Sequence, residues 1–289
     1  MSAPGVEALL GSWRLDPGVM GSLVVAGAAY AWGVRTLGAR GGRWPLRRML
    51  AFAAGLAVTA LALESGLEGY GDRLLSVHMV SHLLLMLVAA PLLCAGSPIG
   101  LALRSRQGAR RQALARALKR PLWRALSHPA TGLCALTLTM LVTHLTPLYD
   151  LALREPALHG AEHALYLAGA LCFWSVVFAP GPRPGRLAGM GRVVYLLASM
   201  PAMSAVAAVL EIDSSPRYPT YVLRSRALGV DALSDQRVAA GLMWVAGSLL
   251  VAVVALGVAW QSMAEEERRA RRREALSDRG RPALGAGSR

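Results

Sequence analysis

The chain has 289 residues, of which 54% are hydrophobic, and its mean hydropathy is +0.42. Its net charge is +14, with 31 Lys and Arg against 17 Asp and Glu. This composition argues against a soluble domain and indicates a membrane protein. The sequence contains no nucleic-acid-binding motif, so the basic charge favours contact with anionic membrane lipid over nucleic acid.

Seven apolar stretches are long enough to cross a bilayer, and they predict an all-α, polytopic bundle of seven transmembrane helices. In chain order they are residues 17–37, 48–64, 75–96, 129–148, 161–180, 187–210 and 236–263. The second is the shortest and the least apolar. Residues 1–16 are predicted to form a short extracytoplasmic N-terminus, 17–263 the membrane domain, and 264–289 a basic, largely disordered tail.

The charged residues between these stretches predict the orientation. The tail and the loops after the first, third and fifth spans hold 24 basic residues, against 7 in the rest of the chain. Basic loops remain on the cytoplasmic side of a membrane, so the N-terminus is predicted outside and the C-terminus in the cytoplasm.

This topology places five of the six histidines at the exposed outer ends of the helices. They are His78, His82, His144, His159 and His163, whereas His128 falls at the opposite face. The segments HMVSH and HGAEH each put two imidazoles four residues apart, on one helix face with Cβ atoms about 5–6 Å apart. Imidazole binds copper, zinc, iron and haem iron, so the five histidines predict a metal site.

Five further residues are weaker candidates for the same site. They are Met79, Met86, Met200, Met203 and Glu162. Thioethers favour Cu(I), although methionine in a helix more often packs in the core, and a glutamate can accept from an imidazole N–H. The three cysteines form no CxxC motif and are interpreted as buried apolar residues. Histidine and methionine at an oxidising face favour copper over a closed structural zinc site.

Three segments resemble the multi-span CtaG family of bacterial cytochrome c oxidase assembly factors. These are HMVSHLLLMLVAAPLLCAGSP, THLTPLYDLALREPALHGAEHALYLAGALCFW and DQRVAAGLMW, and the similarity covers about residues 13–260. The resemblance implies a non-enzymatic role in the bacterial inner membrane, in which copper is delivered to or inserted into a haem-copper oxidase. It implies an oxidase subunit as partner, together with a periplasmic copper donor.

Two other functions remain open from the residues alone. In the first, the protein binds haem and transfers electrons, with histidines from two spans as axial ligands. In the second, it is a copper or cation permease, which requires polar residues through the middle of the membrane; spans three to five are apolar below the histidines. The sequence does not indicate an oligomeric state.

Overall fold

The computed structural model of the chain describes residues 7, 11–178, 187 and 189–279. Every regular element within these ranges is a helix, which confirms the predicted all-α class. Most of the predicted N-terminal segment and residues 280–289 of the predicted tail lie outside the described ranges.

A helix or a run of consecutive helices occupies each of the seven predicted spans. Their bounds are Pro17–Gly38; Leu46–Glu64 and Gly66–Gly71; Leu75–Leu83, Leu84–Ala89 (a π-helix), Ala90–Ala95 and Pro98–Ser105; Pro129–Leu145; Pro156–Phe178; Met190–Leu197 and Met200–Ile212; and Ala232–Gly241, Leu242–Ala246 (a π-helix) and Gly247–Arg279. Shorter helices between them are Gly108–Ala117, Pro121–Leu126, Leu148–Ala152 and Pro219–Arg226.

Six of these runs are long and apolar enough to cross a membrane, and the remaining apolar helix, Pro129–Leu145, has 17 residues. The six helices support a membrane protein, while the count of seven spans and the orientation stay predictions. The second stretch, predicted to be the weakest, belongs to a continuous helical segment of 26 residues.

The last helix is longer than the sequence analysis predicts. It continues to Arg279, although the tail was expected to leave the helical conformation soon after residue 263. The segment AEEERRARRREAL explains the difference, because Ala, Glu, Arg and Leu are strong helix formers and Glu267 pairs with Arg271 one turn later.

A π-helical segment follows the first histidine pair, and Pro91 accounts for it. Proline has no N–H, so the carbonyl of Met86, five residues earlier, receives no backbone hydrogen bond from it. The indole N–H of Trp174 donates to that carbonyl instead, at 2.6 Å. This bond ties the His78 helix to the helix that carries His163.

The helices that carry His144 and His163 approach each other closely at two glycines. A Cβ atom on Gly132 would lie 3.0 Å from the Cα of Phe173, and one on Gly169 would lie 3.4 Å from the carbonyl oxygen of Ala135. Small residues let membrane helices pack backbone to backbone. The glycines therefore set the distance between two walls of the histidine cluster.

Candidate metal centre

The structure brings all five predicted histidines to one end of the bundle. The ring centroids of His78 lie 4.2 Å from His82, 5.2 Å from His159 and 5.4 Å from His163. The centroids of His159 and His163 are 4.5 Å apart. His128 precedes helix Pro129–Leu145 and His144 lies in its last turn, so these two are about 24 Å apart along the helix axis.

The cluster is more deeply buried than its predicted position at exposed helix ends. His82 is fully buried and His78 and His144 are each 1% exposed. Helices Leu148–Ala152 and Pro219–Arg226 contribute tyrosines that pack around the cluster, and they lie in segments that the sequence analysis assigned to loops. The short helices thus shield the histidines from water.

The first histidine pair is in direct contact. The Nε2 atoms of His78 and His82 are 2.8 Å apart, so one nitrogen carries the hydrogen and the other accepts it. The second ring nitrogen of His82, Nδ1, is buried and has no partner among the described residues.

Glu68 holds the second histidine pair, and the sequence analysis missed it. Nε2 of His159 donates to Oε1 of Glu68 at 3.0 Å, and Nδ1 of His163 lies 4.0 Å from the same oxygen. A carboxylate that accepts from an imidazole fixes the orientation and tautomer of that ring. Glu68 lies 91 residues before His159, in the short helix Gly66–Gly71, so no local spacing signals the contact.

Glu162, which the sequence analysis offers as an acceptor for an imidazole N–H, has no hydrogen-bond partner among the described residues. It is 5% exposed, and both carboxylate oxygens are buried without a hydrogen bond among the described residues. Nε2 of His163 is also buried, and no described residue bonds it. A buried carboxylate beside free imidazole nitrogens is costly unless a cation or proton compensates it.

Tyrosines form the remaining wall, and one of them orients His144. The hydroxyl of Tyr218 donates to the backbone carbonyl of His144 at 3.2 Å and lies 3.1 Å from its Nδ1. Because the hydroxyl hydrogen is donated to the carbonyl, the hydroxyl oxygen accepts from Nδ1–H of His144. The free lone pair of this imidazole is then on Nε2. Burial raises the pKa of Tyr218, Tyr149 and Tyr221 above the usual phenol range, so all three stay neutral.

Two sets of three residues place their ligand atoms within 4.8 Å of one another. The sets are His78, His159 and His163, and His78, His82 and Glu162. Nitrogen and carboxylate donors of this kind suit copper, zinc or iron. His144 belongs to neither set, since its ring centroid lies 6.4 Å from that of His82.

The four candidate methionines lie in or against the main apolar core. Met79, Met86 and Met203 are buried in it, and Met200 packs against it. This core also contains Tyr149 and Tyr166, which contact histidine rings, so a thioether ligand stays a prediction. No two of the cysteines form a disulfide among the described residues, and the expectation that all are buried is wrong, because Cys134 is exposed and Cys94 and Cys172 are half-buried.

The acidic loop residues also have local roles. Asp150 and Asp213 pair with arginines four residues along the chain, and Asp235 accepts from the hydroxyl of Ser76. Among the described residues, Glu68 hydrogen-bonds to a histidine of the cluster and Glu162 shares a ligand set with two of them.

The family model for the cytochrome c oxidase caa3 assembly factor, Caa3_CtaG, matches residues 28–265. The chain belongs to this family. The match confirms the resemblance seen in the sequence and includes every histidine of the cluster.

Mycobacterial proteins are similar to nearly the whole chain. Uncharacterized proteins of Mycobacterium bovis and Mycobacterium tuberculosis are each 32% identical over 94% of this chain and 42% of their own length. One from Mycobacterium leprae is 29% identical over 89% of this chain and 40% of its own length. The chain therefore spans about two fifths of these curated relatives. No solved structure matches it.

Proposed function

We propose that this protein acts in the assembly of a haem-copper oxidase by binding copper at the buried histidine cluster and passing it to an oxidase subunit. The observation that carries the proposal is the convergence of five imidazoles from three spans on one point. Family membership supplies the assembly role, and the ligand chemistry supplies the cargo. A periplasmic donor would load the site, and the role needs no chemical turnover by the protein.

Two structural features support loading and release of an ion over permanent retention. Several nitrogen and oxygen atoms of the cluster are buried and have no partner in the described part of the chain, namely Nδ1 of His82, Nδ1 of His159, Nε2 of His163 and both oxygens of Glu162. In addition, the donors are distributed over separate helices, so small helix movements change the coordination shell.

The haem alternative fits this geometry poorly. Axial ligation requires two imidazoles on opposite faces of a planar macrocycle. The histidine rings pack directly against each other, with centroids 4.2–5.4 Å apart around His78, and such spacing leaves no gap for a porphyrin between those rings.

The permease alternative is disfavoured by the layer beneath the cluster. That layer contains the fully buried Phe173 and Trp174, and a cavity of about 20 Å³ there is lined mainly by apolar side chains, including Met86, Met140 and Met203. A divalent cation crossing this layer would lose its hydration and meet no charged ligand, and the thioethers there suit Cu(I) alone.

Deletion of the protein tests the proposal in cells. During copper-limited growth, we expect the oxidase of the deletion strain to contain haem and normal polypeptides but too little copper, and to be inactive. Added copper should restore part of the activity through mass action on slow uncatalysed loading. The measurements are metal analysis, haem spectra and oxygen consumption of the purified oxidase.

Complementation with variants then assigns the effect to the cluster. The double variant His82→Ala, His163→Ala should behave like the deletion, while His128→Ala should restore activity, with both proteins present at wild-type levels in the membrane. Normal copper and activity in the oxidase of the deletion strain would contradict the assembly role.

A further inference from the structure

The cluster contains two overlapping ligand sets that share one residue. We name them the entrance set, His78, His159 and His163, and the interior set, His78, His82 and Glu162. Each set has its ligand atoms within 4.8 Å of one another, which a modest side-chain adjustment converts into a three-coordinate site.

The two sets differ in their access to solvent. The side chain of His159 is 12% exposed, and that of Glu68, its hydrogen-bond partner, is 24% exposed. His163 of the entrance set and Glu162 of the interior set are equally buried, at 5% exposed, so the difference in access lies between His159 and the fully buried His82. His82 also lies one helical turn further into its span than His78, so the interior set is the deeper of the two.

His78 cannot serve both sets at once. A neutral imidazole has one lone pair, and the second nitrogen carries a hydrogen. An ion in the entrance set and an ion in the interior set would therefore compete for the same residue. The sharing permits one ion at a time, in either of two positions.

We propose that the cluster is a two-position relay for a single copper ion, in which the entrance set captures the ion and His78 transfers it to the interior set. Glu68 acts as a positioning residue, because its carboxylate holds His159 at the entrance. This inference rests on the proposed function and specifies how the same site works.

The hydrogen bond between His78 and His82 makes the transfer sequential. The two Nε2 atoms share one hydrogen at 2.8 Å. In the tautomer in which His78 donates, the lone pair of His78 is on Nδ1, while the Nε2 lone pair of His82 is blocked until the bond opens. Capture by His78 then precedes ligation by His82. Glu162, whose oxygens have no partner among the described residues, neutralises charge at the deeper position.

Purified full-length protein in detergent tests the relay with Cu(II) as the probe. The rate of copper loading is measured after addition of one equivalent of Cu(II), and the rate of copper loss is measured after addition of a chelator. Electron paramagnetic resonance identifies the ligands of the bound ion. His82→Ala and the nearly isosteric Glu162→Gln should load at the wild-type rate but lose copper to the chelator at least on the order of tenfold faster.

His159→Ala should show the opposite behaviour. Loading should slow by on the order of tenfold, while copper once bound should be retained as in the wild type. Nitrogen hyperfine structure should indicate three imidazoles in His82→Ala and two in His159→Ala. His78→Ala should lose both loading and retention, and His128→Ala should match the wild type.

The outcomes separate this inference from the proposed function. One outcome is that wild-type protein binds one copper ion and that His82→Ala and His159→Ala lose loading and retention equally. This outcome would indicate one undivided site and would overturn the relay alone. Two copper ions bound at once would overturn it as well. Wild-type protein that binds no copper would overturn both the relay and copper delivery.

Discussion

At the scale of single residues, two kinds of contact position the histidine rings: contacts within one helix and contacts with residues that are distant in the chain. Two i,i+4 pairs were sufficient to place His78 with His82 and His159 with His163, because helix geometry alone puts such residues on one face. Glu68 and Tyr218 reach the cluster from other elements, through contacts over 91 and 74 residues. Such contacts depend on tertiary packing and leave no local pattern in the sequence.

His144 belongs to neither ligand set, and Tyr218→Phe tests its role. The change removes the hydroxyl that bonds both Nδ1 and the carbonyl of His144. We expect copper affinity to fall by roughly 10- to 100-fold if His144 is a ligand, because the orientation of the ring is lost. Stability should fall by about 1–3 kcal/mol, since two buried polar groups lose their partner.

Tyr195→Phe is the matched control for this variant. Tyr195 is also buried, and its hydroxyl donates to the carbonyl of Phe173, away from the histidines. It should lose stability without a change in copper affinity. Competition titration and thermal unfolding measure the two effects, and wild-type affinity in Tyr218→Phe would place His144 outside the ligands of the ion.

At the scale of helices, the length of the apolar stretches predicts where each long helix lies, but it predicts the first and last residues of the helices less well. The predicted fourth span, residues 129–148, ends as a helix at Leu145, because Pro147 cannot continue it. The fifth helix begins at Pro156, five residues before the predicted start, because proline suits the first helical turn. The length of an apolar stretch contains no information on these two prolines, whereas it was sufficient to locate the long helices.

The close approach of two helices at Gly132 gives a prediction about stability. A Cβ atom at this position would lie 2.6 Å from the hydroxyl oxygen of Tyr195 and 3.0 Å from backbone atoms of Cys172 and Phe173. Gly132→Ala should therefore destabilise the protein by about 1–3 kcal/mol through overpacking. The measurement is thermal unfolding in detergent, followed by tryptophan fluorescence.

Gly257→Ala provides the comparison within the same protein. Gly257 lies in a helix and has open space where its Cβ would be, so alanine should be neutral or stabilising by up to about 1 kcal/mol. Equal unfolding temperatures for the two alanine variants would show that the helix pair tolerates a wider separation.

At the scale of the whole molecule, charge distribution supplies information that packing does not. The helices define one axis, with the histidines at one end and Trp44, flanked by Arg48 and Arg104, near the other. Trp44 is buried in a small apolar core with Tyr30 and Phe52, so the two arginines stack on a ring that belongs to this core. Only the uneven distribution of basic residues indicates which end is cytoplasmic.

The orientation is tested with a reporter that is active only in the periplasm. A fusion after Arg289 should be inactive, since 24 of the 31 basic residues lie in the segments predicted to be cytoplasmic. An insertion between Ser214 and Ser215 should be active; this turn is exposed, whereas nearby Tyr218 is buried against His144. A reporter active only in the cytoplasm, placed at the same two positions, should give the reverse pattern. Periplasmic activity of the C-terminal fusion would invert the topology, open the histidine cluster to the cytoplasm and contradict loading by a periplasmic donor.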